Sequence, residues 1–180
     1  MQRVIILGCS GSGKSTVARK IGTAANLPVV HLDQHYFYPG WVEKSEAEWD
    51  QTVSDLCSED RWVMDGNYSK TLDARLASAD TAIFIDYPPL LCLFRVLKRM
   101  FTQYGQVRID AAVGCPERFD LGFIGYVLNY HRARKPSIVR KLREHSIQHG
   151  NRFEFVEIKS DYDILVLLSE LKRSHEQTKI

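Results

Sequence analysis

Gly8-Cys9-Ser10-Gly11-Ser12-Gly13-Lys14-Ser15 is a full match to the phosphate-loop pattern G-x-x-x-x-G-K-[ST]. Its flanks fit the same reading. Val4-Ile5-Ile6-Leu7 is an all-apolar run suited to a strand covered on both faces, and Val17 and Ile21 follow at helical spacing. Strand, glycine-rich turn and helix together form an anion cradle. Backbone N–H groups and the positive helix end point inward, and glycines let the backbone approach phosphates without a clashing Cβ. Lys14 is placed to bridge the β- and γ-phosphates, and the Ser15 hydroxyl to ligate Mg²⁺. Gly8, Cys9, Ser10, Gly11, Ser12, Gly13, Lys14, Ser15 and Thr16 are thus the expected ATP-binding residues. Cys9 is either a small filler or a thiol whose oxidation would cost binding.

At 180 residues, 44% apolar and 26% charged, the chain suits a single soluble domain over 1–180. The first residues lack a signal-peptide core and no run is long enough to span a membrane. The four cysteines, Cys9, Cys57, Cys92 and Cys115, show no C-x-x-C spacing and read as reduced thiols of a cytoplasmic protein. The net charge of +2 hides an asymmetry. Eleven Lys/Arg against three acids lie between Arg95 and Arg143, so the remainder of the chain is acidic. Such a concentration clamps phosphates or touches nucleic acid, and the modest pI favours the phosphates of a small substrate.

Short apolar runs alternate with helical ones, which predicts an α/β fold with a parallel sheet. Further strands are expected at Pro28–Leu32, Arg61–Asp65, Thr81–Asp86 and Arg152–Ile158. The aromatic stretch from His35 to Trp41 reads as a loop, either a flat wall for an acceptor or a cluster packing the next helix. Ser45-Glu46-Ala47-Glu48 is a capping box opening a helix. Helices are also expected over 69–79, 90–103, 163–172 and, as one run with a kink at Pro136, 121–149. The irregular stretch of about 104–120 reads as a mobile lid carrying Arg118, and 174–180 as a frayed tail.

Ligands of open α/β sheets sit at the carboxyl ends of the strands, where Asp33, Asp65 and Asp86 fall. One acid beside the loop strand is needed to hold Mg²⁺ through water; Asp65 is the first choice and Asp86 the other. Asp33 would orient or deprotonate an alcohol acceptor, or become a binding residue if the acceptor is a phosphate. Arg118, Arg132 and Arg134 are candidates to neutralise charge on the group in transit. Arg75 could reach an acceptor anion or lie at the surface. The histidines form no metal pattern.

Together these residues resemble the adenylate-kinase-like P-loop kinases and, more narrowly, the topology modulation protein group. The carrying segments are Gly8–Thr16, Leu32-Asp33 with Pro39-Gly40-Trp41, Met64-Asp65-Gly66-Asn67-Tyr68, Arg95–Arg99 and Cys115-Pro116-Glu117-Arg118. The resemblance implies a five-stranded parallel sheet in the order 2-3-1-4-5 flanked by helices, with a short lid. It implies an ATP- and Mg²⁺-dependent phosphotransferase acting on a small molecule. Where adenylate kinases carry Asp-Gly-Phe-Pro-Arg, this chain has Asp65-Gly66-Asn67-Tyr68-Ser69, so the arginine that grips a monophosphate is missing. The alternative function is a nucleotide-dependent regulator that binds DNA through the Arg95–Arg143 region.

Overall fold

The computed structural model describes residues 1–177. In chain order it contains β1 (Arg3–Gly8), α1 (Lys14–Ala25), β2 (Val29–His31), α2 (Leu32–Tyr36), β3 (Phe37–Tyr38), β4 (Val42–Glu43), α3 (Glu46–Ser58) and β5 (Trp62–Asp65). There follow α4 (Leu72–Ser78), β6 (Thr81–Ile85), α5 (Pro89–Thr102), α6 (Leu121–Ala133), α7 (Lys135–His149), β7 (Glu154–Ile158) and α8 (Asp161–Gln177). Five strands form one parallel sheet in the order β2-β5-β1-β6-β7, which is the expected 2-3-1-4-5 once the small β3–β4 hairpin is set aside.

The apolar run before the phosphate loop is the middle strand, and Val4 to Leu7 are wholly buried. Both faces of such a strand are covered, which is why its sequence shows no alternation. Helix α1 lies on β1, β2 and β5 and packs against α8; α4 lies on β1 and α7 on β7. The chain leaves β1 for β2, returns through β5, and only then crosses to β6. The order therefore reverses at β1, and the crevice beyond its carboxyl end is where this architecture receives ligands. No helix among the described residues is long and apolar enough to cross a membrane.

Three expectations are corrected. The segment expected as a loop up to Trp41 is not one: α2 begins at Leu32, puts Asp33 in its first turn and is followed by the β3–β4 hairpin. Five residues are too few to display a helical period. The expected single helix over 121–149 is two, broken at Arg134. Pro136 has no N–H to give and its ring collides with the preceding turn, so a new helix starts just before it. At the C-terminus α8 runs to Gln177, through most of the expected frayed tail, while 178–180 lie outside the described residues.

Candidate active site

The phosphate loop wraps the carboxyl end of β1. Gly11 (φ +84°) and Gly13 (φ +92°) both take the left-handed conformation that side-chain-bearing residues avoid. At Gly11 a Cβ would lie 2.3 Å from the Cys92 carbonyl oxygen, so the loop is seated directly on α5. No side chain caps α1, which leaves its first N–H donors directed at the crevice for an anion. Ser12 Oγ is buried without a hydrogen-bond partner. The Lys14 ammonium rests on the carbonyls of Gly8 (2.9 Å) and Cys9 (3.0 Å). Desolvation holds it below the usual lysine range, against the pull of Asp65 and Asp33. The Cys9 side chain points away, buried against Val127 O and beside Cys92, whose sulfur and then burial push its thiol far up. It is a filler under the loop.

Parallel register explains the next contacts. His31 of β2 and Asp65 of β5 are direct partners, and Ile6 of β1 is Asp65's partner on the other side. Asp65 Oδ1 therefore meets His31 Nδ1 at 2.5 Å, while Oδ2 accepts from Ser15 Oγ at 2.7 Å. One hydroxyl and one carboxylate oxygen beside an anion cradle suit Mg²⁺, which takes few protein ligands and completes its shell with phosphate and water. Asp86 is elsewhere. It is held by Lys135 (2.7 Å) and faces a separate cleft, so of the two candidate acids only Asp65 stands at Ser15.

In the first turn of α2, Asp33 accepts a hydrogen bond from the Tyr68 hydroxyl at 2.6 Å. Burial raises its carboxyl above the ordinary aspartate value, and Tyr68 and Lys14 oppose that rise. Tyr68 itself has φ +27° and ψ 70°, a conformation rare outside glycine and sustained only by its surroundings. Those surroundings are Arg75. Far from lying at the surface, Arg75 is 0% exposed and donates to the carbonyls of Gly66 (2.9 Å), Asn67 (2.6 Å) and Tyr68 (3.0 Å). Burial pushes its guanidinium down to about 10. Replacing it with methionine strands three carbonyls, at about 1–3 kcal/mol for each one buried. Arg75→Met should therefore lower the urea unfolding free energy by roughly 3 kcal/mol or more. A loss under about 1 kcal/mol would show that water replaces the clamp.

The segment 104–120 forms a roof with ties on two sides. Glu117, 5% exposed, pairs through one carboxylate oxygen with Arg99 and Arg108, each at 3.1 Å, and Arg108 also reaches Asp110 at 3.0 Å. The far side is tied to the hairpin and α2: Gly40 N donates to Gly114 O (2.8 Å), Trp41 Nε1 to Pro116 O (2.9 Å) and, from α2, Gln34 Nε2 to Ile109 O (2.6 Å). Asp110 hangs over Ser15. Burial pushes its carboxyl up, but Arg108 and then the Ser15 hydroxyl hold it below the usual range. Truncating Glu117 leaves two arginines without their shared acid, and breaking a buried pair costs about 3–5 kcal/mol. Glu117→Ala should speed tryptic cleavage after Arg108 or Arg118 at least about tenfold, read by mass spectrometry. An unchanged rate would place the fastening on the hairpin side alone.

Roof, phosphate loop, α2, the β5–α4 loop and α6 together enclose one cavity of about 1190 Å³. Of the expected site residues, Ser10, Gly11, Gly13, Lys14, Ser15, Thr16, Asp33, Asp65, Arg118 and Arg134 line it. Arg118 is 55% exposed, weakly paired with Asp120 at 3.6 Å and lying over the Trp41 ring at 5.9 Å. Arg132 does not belong to the lining. It falls two residues, about 200° of helix, from both Tyr130 and Arg134, so it projects to solvent. The aromatic stretch divides: Tyr36 packs on Trp49 and Tyr68 (4.9 and 4.7 Å), and Phe37 and Trp41 (5.1 Å) continue into the cavity wall.

His31, Tyr68, Arg99, Arg108, Asp110 and Glu117 are residues at the site to which the sequence assigned no role, and Arg75 holds the backbone beneath it instead of reaching an acceptor anion. For Arg75 a signal existed, since it falls between Leu72 and Leu76 on the inward face of α4, at i+3 and i−1. For Glu117 and Asp110, inside irregular backbone, no periodicity could supply one.

No protein-family model matches the sequence, and no match is found among curated proteins. Solved structures do match. A shikimate kinase from Acinetobacter baumannii, in complex with shikimate, superposes with a TM-score of 0.58 at 14% identity, covering 100% of this chain and 96% of that one. One from Aquifex aeolicus vf5 gives 0.51 at 17% identity, covering 99% and 98%. One from Bacteroides thetaiotaomicron gives 0.50 at 12%, covering 97% and 98%. The shared property is the fold, that of P-loop kinases of the nucleoside-monophosphate-kinase type, over the whole length of the chain.

Proposed function

We propose that this chain is an ATP-dependent kinase that phosphorylates a hydroxyl group of a small molecule held between Asp33 and the roof. The observation that carries the reading is Asp33 itself. It shares one cavity with Lys14 and Ser15, and its carboxyl is desolvated and fixed by the Tyr68 hydroxyl. A phosphate acceptor needs no base and would be repelled by that carboxylate, whereas an alcohol needs its proton taken as the new O–P bond forms. Arg75, the first arginine in the chain after Asp65-Gly66-Asn67-Tyr68-Ser69, is committed to three backbone carbonyls. The fold shared with shikimate kinases, one of them solved in complex with shikimate, supports a small-molecule acceptor.

In this mechanism Lys14 leaves its two carbonyls to follow the γ-phosphoryl group. Arg95, Arg134 and Arg118, all in the lining, neutralise the charge spread over its oxygens. Asp33 accepts the hydroxyl proton as the ADP leaving group departs. Ser15 and Asp65 would hold Mg²⁺, which supplies positive charge at the β- and γ-phosphates. The segments resembling the topology modulation group support placing the chain beside it, although that name specifies no reaction.

The DNA-binding alternative gains no support from the basic region. Arg99 and Arg108 are paired with Glu117, Arg118 with Asp120, Lys135 with Asp86, Arg140 with Glu144, Lys141 with Asp73 and Arg143 with Glu157. Four acids from outside the segment, Asp73, Asp86, Glu144 and Glu157, offset half of the surplus visible in sequence. The deciding experiment is ADP release with ATP, Mg²⁺ and a panel of shikimate, sugar acids, sugars, nucleosides and nucleoside monophosphates. Stimulation by a non-phosphorylated hydroxyl compound is expected. Stimulation by monophosphates alone would overturn the reading.

A further inference from the structure

Helix α5 contains no acid and is apolar on two opposite sides. Cys92, Val96 and Met100 form its buried inner face. The other side presents Leu90 (76% exposed), Phe94 (63%), Leu97 and Phe101 (71%), at spacings of four, three and four residues. Phe119, 48% exposed, extends this stripe through an edge contact with Phe101 at 4.9 Å. Apolar residues over most of a helix circumference are the signature of a helix covered all round.

We infer that the chain forms a two-fold dimer in which the outer face of α5 packs antiparallel against the same face of a second copy. The 4-3-4 spacing is that of a seam whose side chains interlock with another helix, and a seam paired with itself closes a dimer without leaving an open end. The area is adequate. At ~200 Å² per phenylalanine, the exposed parts of Phe94, Phe101 and Phe119 offer about 360 Å². Leu90 and Leu91 bring the patch to roughly 550 Å² of the ~800 Å² per partner in a standard interface, before Leu97 and Lys98 are counted. The charges argue against a lipid surface as the occupant. A helix lying on a membrane displays cations along its flanks. Here Arg95 is turned onto the Tyr87 ring at 5.0 Å and Arg99 onto buried Glu117, which leaves Lys98 as the one outward cation of α5.

Analytical ultracentrifugation of the full chain tests this. The wild type should sediment as a dimer at about 10 µM, and Phe94→Arg should weaken association at least about a hundredfold. Leu165→Arg, at an exposed site on α8, should leave the dimer intact. All four native cysteines are buried, so Leu97→Cys introduces one partly exposed thiol near the middle of the seam. Under copper–phenanthroline oxidation it should give a covalent dimer, which decides the matter even if Phe94→Arg fails to fold. A wild type that stays monomeric at about 100 µM, a dimer undisturbed by Phe94→Arg, or a monomer that binds phosphatidylcholine–phosphatidylglycerol vesicles would each overturn the inference.

Discussion

Lys14→Ala should lower kcat by about 10²–10³-fold and weaken ATP binding, the range seen when one preorganised donor to a transition-state oxyanion is removed. The ammonium donates to two loop carbonyls, Gly8 O and Cys9 O. Both belong to the backbone that would cradle the nucleotide. Burial disfavours its charge, and the nearby carboxylates of Asp65 and Asp33 oppose that effect without cancelling it. Moving onto a phosphate oxygen exchanges neutral carbonyl partners for a charged one, and charge-assisted contacts are roughly twice as strong. As charge builds on the transferring group the contact strengthens further, so the loss should fall on kcat more than on the ATP dissociation constant. The measurement is steady-state ADP release together with calorimetric ATP binding. Turnover at the wild-type rate in Lys14→Ala would sink the kinase reading outright.

What could be read from the sequence was what neighbours in sequence decide. The phosphate loop is eight consecutive residues whose spacing is itself the chemistry, and β1 announces itself as four apolar residues in a row. Contacts decided by the fold were not legible. Nothing near Glu117 in the chain marks it as the shared partner of Arg99 and Arg108, because an acid in irregular backbone carries no period. The basic surplus of Arg95–Arg143 looked like a charged face because its partners, Asp73 and Glu157 among them, are distant in sequence. Arg132 and Arg134 seemed equivalent, yet two helical residues point in nearly opposite directions, and only Arg134 lines the cavity. Asp33 was placed at the site from its position past a strand, but its partner Tyr68 was hidden. That contact depends on a left-handed tyrosine, which no propensity favours and which Arg75 holds from below.

Asp33 and Tyr68 yield the sharpest test of the chemistry, because stability and activity should move in opposite directions. With an alcohol acceptor, Asp33→Asn removes the group that takes the proton and should lower kcat and kcat/KM together by about 10²–10⁴-fold. Its effect on folding follows from the direction of the shift. The folded-state pKa of Asp33 lies above its unfolded value, chiefly because burial opposes the charge. Below the unfolded pKa the folded state bears no such cost. As the pH rises from there through the folded pKa, the unfolded state loses its proton first and stability falls, so at neutral pH the carboxylate destabilises the fold. Asparagine carries no charge and can still accept from Tyr68, so Tm at pH 7 should rise even as activity disappears. The pH profile supplies the second half. Activity requires ionised Asp33 and should decline on the acid side at a pH above the usual aspartate range. The Tyr68 hydrogen bond is the largest of the effects opposing that rise, so Tyr68→Phe should carry the acid limb of kcat/KM to still higher pH. A lower Tm in Asp33→Asn together with an unmoved acid limb in Tyr68→Phe would make Asp33 a structural residue of the α2 turn, and the proton would have to leave by another route.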